Sequence, residues 1–171
     1  MTPINFEKQL KKGNLAESII IPRMEFAGWI CYKAVTQGAH WIDVIAFKGK
    51  GIGKMGVDIK SKSKMLLAPH INCTGINQQH FEEYKKFNDE LYPVWLIFID
   101  DNDGEIYGNT LDNLEIVKEE NNRKYPTIIN DGRDGRQIRI WHYSSMQRLG
   151  YITSEEKEML KKLSQKENKN E

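Results

Sequence analysis

The chain has 171 residues and 19.9 kDa, with 39% hydrophobic and 29% charged residues, room for one compact core and hardly for two. Its 25 basic and 24 acidic residues leave a formal charge of +1, which excludes a globally basic nucleic-acid coat, and the longest apolar run, Val94 to Ile99, is far too short to span a bilayer. Met1 to Leu10 lacks the apolar stretch of a secretory signal, and Cys31 and Cys73 lack zinc or disulfide-framework spacing; composition points to a soluble, cytoplasmic protein with two buried structural thiols.

In chain order, Phe6 and Leu10 share a helix face, Gly13 suits a helix C-terminus, and Asn14 caps a second helix running towards Trp29, with a kink expected at Pro22. From Ile30 the pattern changes to β-type runs, Ile30 to Thr36, Trp41 to Phe47 and Met55 to Lys62. A helix follows from about Asn77 to Leu91, with His80, Tyr84, Phe87 and Leu91 on one stripe and Phe81 beside it. Val94 to Ile99 reads as a strand buried on both faces, Asp103-Gly104 as a turn and Ile106 as part of a further strand. Asp131-Gly132 and Asp134-Gly135 signal a hairpin leading into Gln137 to Tyr143, and a last helix spans Ser154 to Leu163. This order predicts an α/β (α+β) fold, one domain over residues 1–163, with 164–171 a disordered polar tail.

Strand alternation puts Trp41, Asp43, Ile45 and Phe47 on one face, so Asp43 is a single carboxylate among large apolar side chains. On the next run Asp58 and Lys60 project together, while Val57 and Ile59 point the other way. If the two runs pair through the loop Lys48 to Gly53, Asp43 and Asp58 face each other with Cβ atoms ~4.5–5.5 Å apart. At about 4 Å and an effective dielectric near 20, their repulsion is on the order of 4 kcal/mol, too much to leave uncompensated. Lys60 relieves part of it. A divalent cation relieves more, and two carboxylates with the Ile59 backbone carbonyl are the hard oxygen ligands that suit Mg²⁺ or Mn²⁺. That chemistry serves phosphodiester hydrolysis, with Lys60 placing water or neutralising developing charge.

The segments Gly13-Asn14-Leu15-Ala16-Glu17, Gly28-Trp29, Ile42-Asp43-Val44-Ile45-Ala46 and Val57-Asp58-Ile59-Lys60, in this order, resemble the PD-(D/E)XK nuclease superfamily of restriction endonucleases and Holliday junction resolvases. The resemblance covers about Lys12 to Ile99 and implies a restriction endonuclease-like fold, a mixed central sheet flanked by helices, acting as a Mg²⁺-dependent endonuclease on DNA. It implies Glu17, Asp43, Asp58 and Lys60 as the catalytic set, Glu17 also supporting the metal, and Gln79 or His80 as polar support from the following helix. The third-strand acid is Asp rather than the commoner Glu, and no proline precedes Asp43.

The plainer readings are concrete. Asp-x-Lys alone describes a surface ion pair, Asn14 and Glu17 have capping-box spacing, and His80 and Tyr84 fit the packing stripe of their helix. Gly51 to Gly56 matches a dinucleotide fingerprint letter by letter but leads into a strand, so it reads as a hairpin loop. Asp100 to Glu105 has the composition of a calcium loop without its glycine and glutamate positions, and reads as a turn. Lys48, Lys50, Lys54, Lys62 and Lys64 surround the Asp58 segment where a phosphate backbone would pass. Trp141-His142-Tyr143 could stack on bases beside Arg136 and Arg139, or be core. The competing functions are a non-catalytic nucleic-acid-binding or assembly module of the same fold, and a nuclease for RNA. Cutting both strands of a duplex would be served by a homodimer.

Overall fold

The computed structural model describes residues 3–33, 42–49, 53–66, 68–131 and 135–164, with side chains from residue 7 onward. Its N-terminal segment is one continuous helix, α1 (Pro3–Phe26), rather than two helices meeting at Gly13. An internal glycine costs about 1 kcal/mol against alanine and a proline about 3 kcal/mol. Burial of Ile19, Ile20 and Met24 against the sheet, at roughly 1.5–3 kcal/mol each, outweighs both. Asn14 and Glu17 therefore sit in mid-helix, and the capping box does not form.

After α1 come β1 (Ile30–Lys33), β2 (Val44–Lys48) and β3 (Gly53–Ser61), then β4 (Cys73–Asn77), α2 (Gln78–Glu90), β5 (Val94–Ile99) and β6 (Glu105–Thr110). A short helix α3 (Leu111–Leu114), β7 (Lys118–Glu120), β8 (Arg123–Tyr125), β9 (Thr127–Asn130), β10 (Gln137–His142), β11 (Gln147–Tyr151) and α4 (Ser154–Ser164) complete the order. The main sheet runs β1-β2-β3-β5-β6-β11; β3 and β5 are parallel and the other neighbours antiparallel, so the sheet is mixed. A second sheet, β4-β10-β9, and the β7-β8 hairpin stand apart from it.

Helices cover both faces. Val44, Ala46, Val57, Ile59, Ile97 and Ile99 meet α1 and Leu160 of α4 on one side. Val94, Leu96 and Phe98 meet Phe81 and Tyr84 of α2 and Ile76 and Trp141 of the second sheet on the other. This is the α+β arrangement expected, a mixed sheet flanked by helices. Trp141 is fully buried and Tyr143 nearly so. Arg139 is ion-paired with Glu115 and lies 4.1 Å from the Phe81 ring centre, so this aromatic-basic segment is packing rather than a base-stacking surface. Of the two cysteines, Cys73 is buried and Cys31 only half-buried. Ser164, assigned to the tail from sequence, is the last residue of α4, with its hydroxyl on Asp101; residues 165–171 lie outside the described residues.

Candidate active site

β2 and β3 pair with Val44 opposite Val57, and the ladder extends one step further through the Asp43 N–H to the Val57 carbonyl at 3.1 Å. The pairing ends there, and Asp43 comes beside Asp58 where β2 and β3 part, close enough to feel its charge. Since Val57 and Ile59 face α1, alternation turns Asp58 and Lys60 towards α2 and the second sheet; Asp43 precedes β2, where Ile42 packs on the α2 side and the alternation is broken. Both carboxylates are buried, at 8% and 1% exposure.

Asp43 Oδ2 accepts the Ile59 N–H at 2.7 Å. On a strand the N–H and C=O of one residue point to the same neighbour, so the Ile59 carbonyl opens on the same side, beyond the start of β2. Lys60 Nζ donates to Asp58 Oδ1 at 2.6 Å, while Asp58 Oδ2 is buried without a second donor at ordinary hydrogen-bond length, the Tyr84 phenol being the hydroxyl that bears on this carboxylate. Burial, and then the Asp58 charge, push the Asp43 carboxyl up to about 7, with Glu17 adding to the rise and Lys60 and the Ile59 N–H opposing it. Burial works against the Lys60 ammonium, but Asp58 overrides it and holds Lys60 above the usual lysine range, firmly protonated.

Glu17 approaches from α1. It is 7% exposed, and Lys33 Nζ of β1 lies 2.6 Å from its Oε2, an ion pair without the alignment of a hydrogen bond. The residue α2 turns towards the acids is Tyr84, which the sequence places only in the packing stripe. Burial and the adjacent Asp58 charge raise its phenol well above the ordinary value. Gln79 and His80 are exposed on the first turn of α2: Gln79 gives its backbone N–H to the Asn77 side chain at 3.0 Å, and the His80 ring stands 6.4 Å from that of Tyr84. Tyr84 shares its stripe with a second polar residue, His80, and no spacing rule singles it out.

The lysines disperse. Lys48 lies over the Trp29 ring on the α1 side at 5.4 Å, and Lys54 over Tyr92 on the α2 side at 5.8 Å. Four residues from Asp58, Lys54 is about 13 Å away along the strand. Lys64 is spent internally, with Asp103 at 2.6 Å, Glu105 at 2.8 Å and Asp100 at 3.4 Å. Lys62 follows Lys60 on the same face and donates to the Gly75 carbonyl at 2.6 Å. Lys50 lies outside the described residues. Asp101, bonded by Lys12, Ser61 and Ser164, ties α1, the end of β3 and α4 together just beyond Lys60.

Among the described residues no three His, Cys, Asp or Glu side chains are gathered as a metal cage. No helix among them is long and apolar enough to cross a membrane. No protein-family model matches the sequence, and no curated protein matches it. The fold does have a solved counterpart. The structure of D212, a nuclease from a fusselovirus, superimposes with a TM-score of 0.53 at 13% identity, covering 91% of this chain and 93% of that one. A likeness at that identity is one of fold.

Proposed function

We propose that the protein is a metal-dependent endonuclease of the PD-(D/E)XK type, hydrolysing phosphodiester bonds in DNA with Mg²⁺ or Mn²⁺. The observation that carries this is a pair of buried carboxylates, Asp43 and Asp58, so close that the Asp58 charge raises Asp43, with a single lysine as partial compensation. A structural ion pair would have no use for Asp43. Two carboxylates and a carbonyl, with water filling the remaining positions, suit Mg²⁺, which seldom takes an all-protein cage. The near end-to-end likeness to a nuclease supports the same class.

Asp43, Asp58 and the Ile59 carbonyl are the residues that would hold the cation, with Glu17 bearing on it through Asp43 or a water. The cation would supply Lewis-acid polarisation of the scissile phosphate and a lowered pKa for water. The Ile59 N–H holds the Asp43 carboxylate close enough to Asp58 to feel its charge. Lys60, held protonated, is a cation placed to neutralise charge developing on the phosphate rather than a base that removes a proton from water. Tyr84 closes the site from above as a neutral phenol.

The test is cleavage of single-stranded, duplex and branched DNA and of RNA, each with EDTA, Mg²⁺ or Mn²⁺. Metal-dependent cleavage of DNA, abolished in Asp58→Asn with folding retained, is expected. Full activity in Asp58→Asn, or no cleavage of any substrate in either metal, refutes the reading.

A further inference from the structure

Lys62 continues the line of β3 past Ser61, its backbone N–H still bonding the Ile99 carbonyl at 2.9 Å. Two strand residues beyond Lys60, it stands on the same face about 6.5 Å further along. Its ammonium has three donors, and the bond to Gly75 uses one. Among the described residues it has no carboxylate partner within ion-pairing distance; the charges it feels are Lys60, which repels it, Asp58, which attracts it but is already paired with Lys60, and Lys12, which repels it. Burial and then the Lys60 charge draw its pKa down to about 8. A half-buried ammonium short of a counter-ion is a costly arrangement, and an anion would relieve it.

There is room for one. Lys62 lines an open pocket of about 180 Å³ together with Asn77, Asp131, Arg136 and Ile138. The pairing of Ile138 with Asn77 places it where β10 begins beside the end of β4. Asn77 has its side-chain oxygen engaged by the Gln79 N–H, which leaves its amide nitrogen as the donor. Arg136 is exposed at the rim, its carbonyl accepting the Asp131 N–H at 2.7 Å. Among the described residues the lining holds two cations, Lys62 and Arg136, and one carboxylate, Asp131.

We propose that this pocket is a phosphate subsite, taking a backbone phosphate of the nucleic-acid strand adjacent to the one at Asp43, Asp58 and Lys60, between Lys62 and Arg136. The assignment rests on the nuclease reading for the strand's presence at the neighbouring acids. Lys60 and Lys62 then form successive steps of one track along β3, and Arg136 completes the outer step from the second sheet. The lysines at 48, 54 and 64 belong to other faces or other partners and form no part of it.

The experiment is binding of a short labelled single-stranded oligodeoxynucleotide to the full chain in EDTA, where contact is read without cleavage, across a salt series. Lys62→Gln keeps a donor for the Gly75 carbonyl, and Arg136→Gln alters an exposed position, so the second variant serves should the first fail to fold. Each is expected to weaken binding about tenfold, as the loss of one charge-assisted contact does. Each should also flatten the dependence of log K on log salt by about 0.7. Unchanged affinity and slope in both variants, or no binding by the unmodified protein, overturns the subsite. Inorganic phosphate shifting the Lys62 side-chain NMR signal where the oligonucleotide does not would assign the pocket to a free anion and overturn it too. Mg²⁺-dependent cleavage of the same strand separates the two ideas. Normal cleavage with unchanged binding in the variants removes the subsite alone, whereas Lys62- and Arg136-dependent binding with no cleavage removes the nuclease reading and leaves a nucleic-acid contact.

Discussion

The Asp43→Asn variant turns the buried acid pair into a measurable pH effect. Asp43 titrates at about 7 in the folded protein against an ordinary value of 3.8, so between those limits the folded state holds a proton that the unfolded chain releases. Stability without metal therefore falls as pH rises from about 4 to 7. The gap of about three pH units corresponds to roughly 4 kcal/mol, an upper figure, since local relaxation and water entry lessen the burial penalty. At about 2–4 °C per kcal/mol for a chain of this size, the wild type should lose about 10 °C of melting temperature over that range through this group. Asparagine keeps an oxygen for the Ile59 N–H and carries no charge, so Asp43→Asn should melt higher than wild type at pH 8 in EDTA and match it near pH 4. Mg²⁺ should raise the wild-type melting temperature at pH 8 and leave the variant nearly unmoved. Circular-dichroism melts from pH 4 to 8.5, with EDTA or Mg²⁺, give all four comparisons. Asp100, also raised by burial, has the same sign, so the test is the difference between the two proteins. Parallel pH profiles for wild type and variant in EDTA would refute the argument.

Lys60→Met leaves Asp58 buried and uncompensated; a loss of about 3–5 kcal/mol in urea melts is expected, smaller in Mg²⁺, with cleavage abolished. Glu17→Gln breaks a partly exposed pair with Lys33 and should change stability by less than about 1 kcal/mol, so a fall in cleavage rate at constant melting temperature marks Glu17 as part of the site. In Gly75→Ala the new methyl would lie 2.4 Å from the Arg139 carbonyl oxygen and 2.7 Å from Ile140 Cγ2, and a loss of about 1–3 kcal/mol by chemical denaturation is expected. Lys62, depressed to about 8, favours its neutral form when folded, so stability should rise between about pH 8 and 10.5; Lys62→Gln should remove that rise from the alkaline melting profile.

Much of the site was legible because strands alternate. Asp58 and Lys60 share a face from their spacing alone, and pairing of the two runs from Lys48 opposite Gly53 to Val44 opposite Val57 brings Asp43 to the end of the ladder near Asp58. Val94 to Ile99 was equally plain, an unbroken apolar run buried on both faces. Local signals misled where tertiary burial outweighed them. Gly13 and Asn14 have the chemistry of a helix boundary, yet α1 runs through them because its apolar face spans the sheet. β4 and β11 escaped notice, being short and interrupted by Gly75 and Gly150, and Gly150 marks an irregularity in the pairing with β6. Neighbours in sequence do not make the lysine run one patch: the hairpin sends Lys48 to the α1 face, Lys54 stands far along the strand over Tyr92, and Lys64 is held by acids.

By itself, then, the sequence determined the common face of Asp58 and Lys60 and the pairing that brings Asp43 near them, since these follow from a period of two and one hairpin register. Tertiary structure decided which groups from distant elements come near them: Glu17 through an unbroken α1, Tyr84 across from α2, and Lys62, which among the described residues has no carboxylate within ion-pairing distance. Those depend on how helices and a second sheet pack onto the main one, and on the burial that follows. Burial sets the charge balance of the site, and no local pattern encodes it.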